Sequence, residues 1–148
     1  MLKGIDPLLT PDLLHALASA GHGDVVAVVD ANFPAARVAR QLVALPGSDA
    51  PCVTDAILSV LPIDDFLPDP VRRMQVVGDP DAWPEVQKQV QAELGPALAL
   101  GGIERFAFYE AAKASFAVVQ VGDPRPYGCF LFRKGVIAAT EQTLRTDS

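Results

Sequence analysis

The sequence predicts an α/β fold: a single-domain three-layer α/β/α sandwich with a mostly parallel or mixed sheet. Three observations carry this reading. The run Val25-Val26-Ala27-Val28-Val29 is apolar at every position, as in a central strand covered on both faces. Strand-like runs alternate with helix-like ones along the chain, the order expected when helices pack on a sheet. At 148 residues the chain is long enough for one domain that buries roughly two-thirds of its unfolded surface.

Each element has its own signal. Thr10-Pro11-Asp12 starts a helix, with a hydroxyl N-cap, proline at the first helical position and an acid in the first turn. Leu13, Leu14 and Leu17 line one face at helical spacing, and Gly21 stands where a left-handed C-cap would end it. The chain reverses through His22-Gly23-Asp24 into the strand Val25–Val29. Asp30 to Pro34 is a loop, since Pro34 disfavours helix at Phe33. A short helix follows over 35–40 and a strand over 41–45, and Pro46-Gly47-Ser48-Asp49 turns the chain. Residues 53–61 read as a helix closed by Pro62, 63–70 as an acidic, proline-rich loop, and 73–77 as a strand ended by Gly78-Asp79-Pro80. The helix over 84–94 is amphipathic through Val86, Val90 and Leu94. Gly101-Gly102 breaks the chain before a helix over 103–114. Residues 116–121 form a strand by β-branching and aromatics, 122–126 a loop, and Tyr127-Gly128-Cys129 opens the last strand at 130–132. The polar tail from about residue 138 is a peripheral helix or disordered.

Composition narrows the function. Net charge is -6 and the pI is near 4.7. Basic residues are scattered apart from pairs such as Arg72-Arg73 and Arg133-Lys134, so the basic face of a nucleic-acid binder is missing. No segment reaches the ~18 apolar residues that span a bilayer, and the start lacks the apolar core of a signal peptide. Cys52 and Cys129 are far apart and without metal spacing, which reads as two reduced thiols in a cytoplasmic protein. Hydrophobic residues make up 50% of the chain and mean hydropathy is +0.25, apolar for a soluble monomer. The excess suits a buried parallel sheet or surface buried against other subunits.

The chemistry concentrates at Gly21-His22-Gly23-Asp24 and Asp30-Ala31-Asn32-Phe33-Pro34, on either side of the valine strand. There are 2 histidines, and His22 lies on a glycine-framed turn, freely positioned and accessible. Its side chain alone has an unperturbed pKa near neutrality, which suggests a proton-transfer site. Asp24 reads either as a turn cap or as a group that orients the imidazole. Asp30 reads as the start of an Asx turn or as an acceptor for a ligand. Arg105 is a solvated helix charge or a fork of donors. Phe106, Phe108 and Phe116 read as core or subunit interface, Tyr109-Glu110 is open, and His15 is structural or exposed.

Several segments in order resemble the sugar mutarotase family that includes ribose pyranase and L-fucose mutarotase. They are Met1-Leu2-Lys3-Gly4-Ile5 with Pro7-Leu8-Leu9, Leu13-Leu14, the two clusters above, Arg105-Phe106-Ala107-Phe108-Tyr109-Glu110, and Tyr127-Gly128 leading to Lys134-Gly135. The segments at 30–34 and 105–110 look more like the fucose branch. The resemblance implies a cytoplasmic enzyme that interconverts the α and β anomers of L-fucose or a related sugar, with no cofactor and no metal. It also implies a ring-shaped homo-oligomer, a decamer, whose sites lie where subunits meet. His22 would be the proton donor, with Asp24 beside it on spacing, and Asp30, Arg105, Tyr127, Gly128 and Cys129 would bind the sugar. Two departures bear on the substrate. The fucose branch typically has asparagine at Cys129, and the family's histidine is absent at Asn32. Alternatives are a D-ribose pyranase-type activity and a sugar-binding module without catalysis. The strand between His22 and Asp30 separates its two ends by roughly 20 Å. Asp30 therefore reaches the same sugar as His22 only through a bend or from a neighbouring subunit.

Overall fold

The computed structural model describes residues 1–139. Along it run α1 (Pro11–Ser19), β1 (Val25–Val29), α2 (Ala35–Val38), β2 (Leu42–Leu45), α3 (Ala50–Leu58) and β3 (Val71–Met74). Then come α4 (Glu85–Leu94), β4 (Gly101–Ile103), α5 (Arg105–Ala114), β5 (Ala117–Val121) and β6 (Phe130–Arg133). The strands form one mixed sheet in the order β2-β5-β1-β6-β3-β4. β1 pairs parallel with β5, β2 with β5, and β3 with β4, whereas β6 runs antiparallel to both β1 and β3.

The three layers follow from the pleat. Successive side chains of a strand point to opposite faces. Val26 and Val28 of β1 therefore join one core with Leu13 and Leu17 of α1, Val53 and Ile57 of α3, and Val86 and Val90 of α4. Ala27 and Val29 join the other, with Ala35 and Val38 of α2 and Phe108 and Ala112 of α5. Both faces of the valine strand are buried, as its unbroken apolar run requires.

The antiparallel placing of β6 builds the site. β5 and β6 flank β1, and the segment joining them crosses the C-terminal edge of β1. A parallel return needs a crossover of a dozen or more residues; this segment is too short, so β6 comes back reversed. Its start therefore sits over Asp30 and its end beside the His22 turn.

Several boundaries differ from the sequence reading. α1 ends at Ala20 in extended backbone, and Gly21 is not left-handed; the positive φ, 85°, belongs to Gly23. The Lys134 ammonium donates to Leu17 O at 2.8 Å and Ala20 O at 2.6 Å, satisfying the carbonyls that a glycine cap would otherwise serve. α3 starts three residues early because Asp49 caps it, accepting the Cys52 N–H at 2.9 Å. β3 is shifted toward the N-terminus by its register, Val71 opposite Phe132 and Arg73 opposite Phe130. Gly101-Gly102 is a strand rather than a break, because β4 packs too closely for side chains. A Cβ on Gly101 would come within 2.8 Å of the Asp69 side chain. α5 begins at Arg105, with the Glu104 carboxylate accepting the Phe106 and Ala107 N–H groups, each at 3.0 Å. α2 stops two residues short of its expected end. Most of the polar tail lies outside the described residues.

Candidate active site

The residues expected to bind a sugar meet at one cleft. Asp30, Arg105, Tyr127 and Cys129, with Asn32 and Tyr109, line a cavity of about 250 Å³ at the C-terminal edge of the sheet. This is the edge where open α/β sheets hold their ligands.

Asp30 follows β1 and is only 5% exposed. Its Oδ1 accepts the Asn32 N–H at 3.0 Å in an Asx turn. Its Oδ2 accepts from the Cys129 thiol at 3.4 Å. The turn reading and the binding-site reading of Asp30 thus describe different oxygens of one carboxylate. Cys129 is buried, and burial, then the adjacent Asp30 charge, push its thiol well above the ordinary range. It stays protonated and acts as a donor to Asp30.

Tyr127 occupies left-handed backbone, φ 62°, which is uncommon for an aromatic residue. Two hydrogen bonds hold it there. Its carbonyl accepts from Gln87 Nε2 at 3.0 Å, and its hydroxyl accepts the Val77 N–H at 3.3 Å. Gln87, fully buried on α4, also donates to Met74 O at 2.7 Å and accepts from Arg73 Nη1 at 3.0 Å. The buried Arg73 guanidinium lies 4.1 Å from the centre of the Trp83 ring. Gly128 is packed so that a Cβ would meet Arg125 O at 3.3 Å and the Asp30 Cβ at 3.4 Å. The crossing segment is further tied by Asp123. It receives the Arg125 guanidinium at 2.7 and 2.9 Å and the Ala50 N–H at 3.2 Å. The Arg125 bonds, first among several causes, lower its carboxyl to about 2.

Arg105 opens α5 and is exposed at the cleft rim. Its Nε and Nη2 donate to Tyr109 Oη at 3.3 and 3.2 Å. Tyr109 stacks on the buried Phe33 with ring centres 5.2 Å apart, and Phe33 meets Phe108 edge-on at 5.7 Å. The guanidinium is thereby positioned through a tyrosine wall that reaches the core. Phe108 is core as expected, whereas Phe106 is 68% exposed. The open position Tyr109 resolves as a cleft residue. Its i,i+4 spacing from Arg105 was the available signal.

His22 is elsewhere. It sits at the opposite end of β1 and does not line the cleft. Its turn is pinned rather than free. Gly23 N–H donates to Lys134 O at 2.8 Å, Lys134 N–H to Asp24 O at 2.9 Å, and Arg133 Nη1 to Gly23 O at 2.9 Å. Asp24 Oδ2 accepts the Gly21 N–H at 2.7 Å, closing the turn rather than orienting the imidazole. The carboxylate beside the imidazole is Asp64, with Oδ1 3.5 Å from His22 Nε2. The Phe66 ring lies 5.4 Å from the imidazole. Asp64 and Gln87 escaped the sequence reading. Among the described residues no group of three or more His, Cys, Asp or Glu is placed to hold a metal ion, and no helix is long and apolar enough to cross a membrane.

The geometry therefore comprises two halves: a polar cleft with a fork of donors and a buried acceptor, and a surface imidazole backed by a carboxylate. The chain is similar along most of its length to proteins named for their activity. The chain is 39% identical to human fucose mutarotase, covering 93% of this chain and 95% of the human protein. It is 34% identical to L-fucose mutarotase of Actinobacillus pleuropneumoniae, covering 92% and 97% of the two chains. The crystal structure of the fucose mutarotase from Streptococcus pneumoniae, in complex with L-fucose, superposes with a TM-score of 0.84 at 30% identity, covering 93% of this chain and all of that one. Residues 3–137 match the RbsD / FucU transport protein family, and the chain belongs to that family.

Proposed function

We propose that the protein is a mutarotase that interconverts the α and β anomers of L-fucose or a related monosaccharide. The observation that carries this reading is the cleft itself. Asp30, Arg105, Tyr127 and Cys129, drawn from β1, α5 and the segment before β6, converge there in a chain related to fucose mutarotases. Arg105 supplies paired donors for sugar oxygens, Asp30 accepts from a hydroxyl, and Tyr127 offers its ring to a sugar face. Gly128 lets the backbone pass close to Asp30.

Anomer exchange requires that the C1–O5 bond break as O5 gains a proton and O1 loses one. The open aldehyde then turns and recloses on its other face. A positioned general acid contributes roughly 10²–10⁴-fold to such a step. His22 is our proton donor. Because it stands roughly 20 Å from Asp30 along an extended strand, it serves the cleft of a neighbouring copy. Exposed aromatics flank both halves. Phe66, 70% exposed, lies against His22, and Phe106 lies beside Arg105. Such apolar surface suits burial between subunits, in keeping with a homo-oligomer. The one-domain organisation and a cytoplasmic setting, consistent with the free thiols of Cys52 and Cys129, belong to the same reading.

Saturation-transfer NMR between the anomers tests it. The protein should speed exchange of L-fucose, and His22→Ala should abolish most of the gain. Sugar binding without faster exchange would instead identify a binding module, for which the Cys129 thiol, already engaged with Asp30, is the motivating feature. Comparing fucose with ribose separates the two enzyme readings.

A further inference from the structure

We infer that Lys134 is a positioning residue for His22: its ammonium and its backbone clamp the turn on both sides of the imidazole. The inference rests on the mutarotase reading above. Ala20, Gly21, Gly23 and Asp24 each have backbone groups held by hydrogen bonds. Among the described residues the backbone N–H and C=O of His22 have no partner. The backbone of His22 is therefore placed by its neighbours. Lys134 holds them from two directions. Its Nζ donates to Leu17 O at 2.8 Å and Ala20 O at 2.6 Å. Its N–H donates to Asp24 O at 2.9 Å, and its carbonyl accepts the Gly23 N–H at 2.8 Å.

The side chain suits this reach. Its stem lines an apolar groove with Leu14, Leu17 and Val60, and its charged head is carried to the end of α1. There it meets carbonyls that a helix leaves without internal partners, where a cation is also favoured by the helix dipole. α1 has no basic residue in its own last turn, so this cation comes from the residue after β6. Without the ammonium, the Leu17 and Ala20 carbonyls lose their partners, and the end of α1 shifts to recruit water. Gly23 stays tied to β6 by the Lys134 backbone and by Arg133. One side of the turn then moves against the other, and the imidazole between them leaves its line to the sugar. A misplacement of about 1 Å costs about 10²-fold in rate. The ammonium itself takes no part in the proton transfer, and the cleft lies at the other end of β1.

Lys134→Met keeps the apolar stem and removes the donors. At saturating L-fucose, anomer exchange should fall ~10–100-fold, with L-fucose affinity unchanged within about two-fold. Lys134→Arg, which restores a cation and its donors, should recover most of the loss. In a His22→Ala background Lys134→Met should have no further effect, because Lys134 acts through the imidazole. Equal losses in both backgrounds, no loss with His22 in place, or a matching fall in sugar affinity would overturn the assignment. If Lys134→Met does not fold, Lys134→Gln, with N–H donors on a shorter arm, is measured in the same two backgrounds and judged in the same way. Should the parent protein not accelerate anomer exchange at all, the mutarotase reading fails and the clamp is judged by amide hydrogen exchange. The substitution should then speed hydrogen exchange at Gly23 and Asp24 ~10-fold, with Val28 in β1 unchanged. Equal rates at Gly23 and Asp24 in the two proteins would rule the clamp out.

Discussion

If His22 serves a neighbour's cleft, two inactive variants should restore each other. His22→Ala keeps an intact cleft, and Arg105→Ala keeps an intact imidazole. Both side chains are exposed, so neither change threatens the core. Within one protomer the two positions lie at opposite ends of β1, roughly 20 Å apart, too far to share a small sugar. In oligomers assembled randomly from equal amounts of the two, each site needs an intact donor from one copy and an intact cleft from the other. Half the copies satisfy each condition, so about one quarter of the sites are whole. Co-expressed or co-refolded mixtures should therefore reach about a quarter of the parent's anomer exchange per subunit, against losses of ~10²-fold or more for each variant alone. Exchange by saturation-transfer NMR reads this directly. A mixture no faster than the mean of its two components would mean that each site is complete within one chain, or that His22 has no part in it.

Two further predictions concern the scaffold. Gln87→Met preserves volume but withdraws three hydrogen bonds, two of them buried and one of those from the Arg73 guanidinium. It should lower unfolding stability by about 3–5 kcal/mol and weaken sugar binding by freeing Tyr127; a urea midpoint matching the parent's would refute this role. Asp123, whose carboxyl is lowered from 3.8 to about 2, contributes stability that is present above its unfolded value and lost as pH falls from about 4 through about 2. Asp123→Asn should cost about 2 kcal/mol at neutral pH, a gap that closes by about pH 2 in urea titrations.

Much of this was legible in the sequence for identifiable reasons. The valine strand, the Thr10-Pro11 helix start and the Val86-Val90-Leu94 stripe, recurring every four residues, carry their own signals, and the structure follows them. Local signals that competed were weighed less well. Asp49 caps α3 from within a turn, and two glycines open β4 because the Asp69 and Gln75 side chains leave no room for a Cβ. Buried polar residues were the hardest. Gln87 sits beside Val86 on a helix whose Glu85, Lys88 and Glu93 are exposed, so nothing in its spacing marks it as core. The available clue was Arg73. A charged side chain at a buried strand position must find partners, and Gln87 Oε1 with the Pro80 and Ala82 carbonyls supplies them for Arg73. Asp64 was hidden in the same way by its acidic surroundings.

β6 connects the cleft and the His22 turn, the two halves of the proposed site. It starts beside Cys129, whose thiol reaches Asp30, and ends at Arg133 and Lys134, which hold the His22 turn and the Asp64 backbone. Because β6 is reversed relative to its neighbours, one short strand touches both halves at its two ends. Protein interiors are close-packed and deform little, so the spacing between imidazole and cleft within one chain is fixed by the length of this strand. On the proposed reading, a subunit with a donor at one sheet edge and a cleft at the other offers two different surfaces, which would meet head to tail in an assembly of copies. Contacts of this kind close into rings when the rotation per subunit allows. The topology that separates His22 from Asp30 within a chain is thus the same feature that would bring them together between chains.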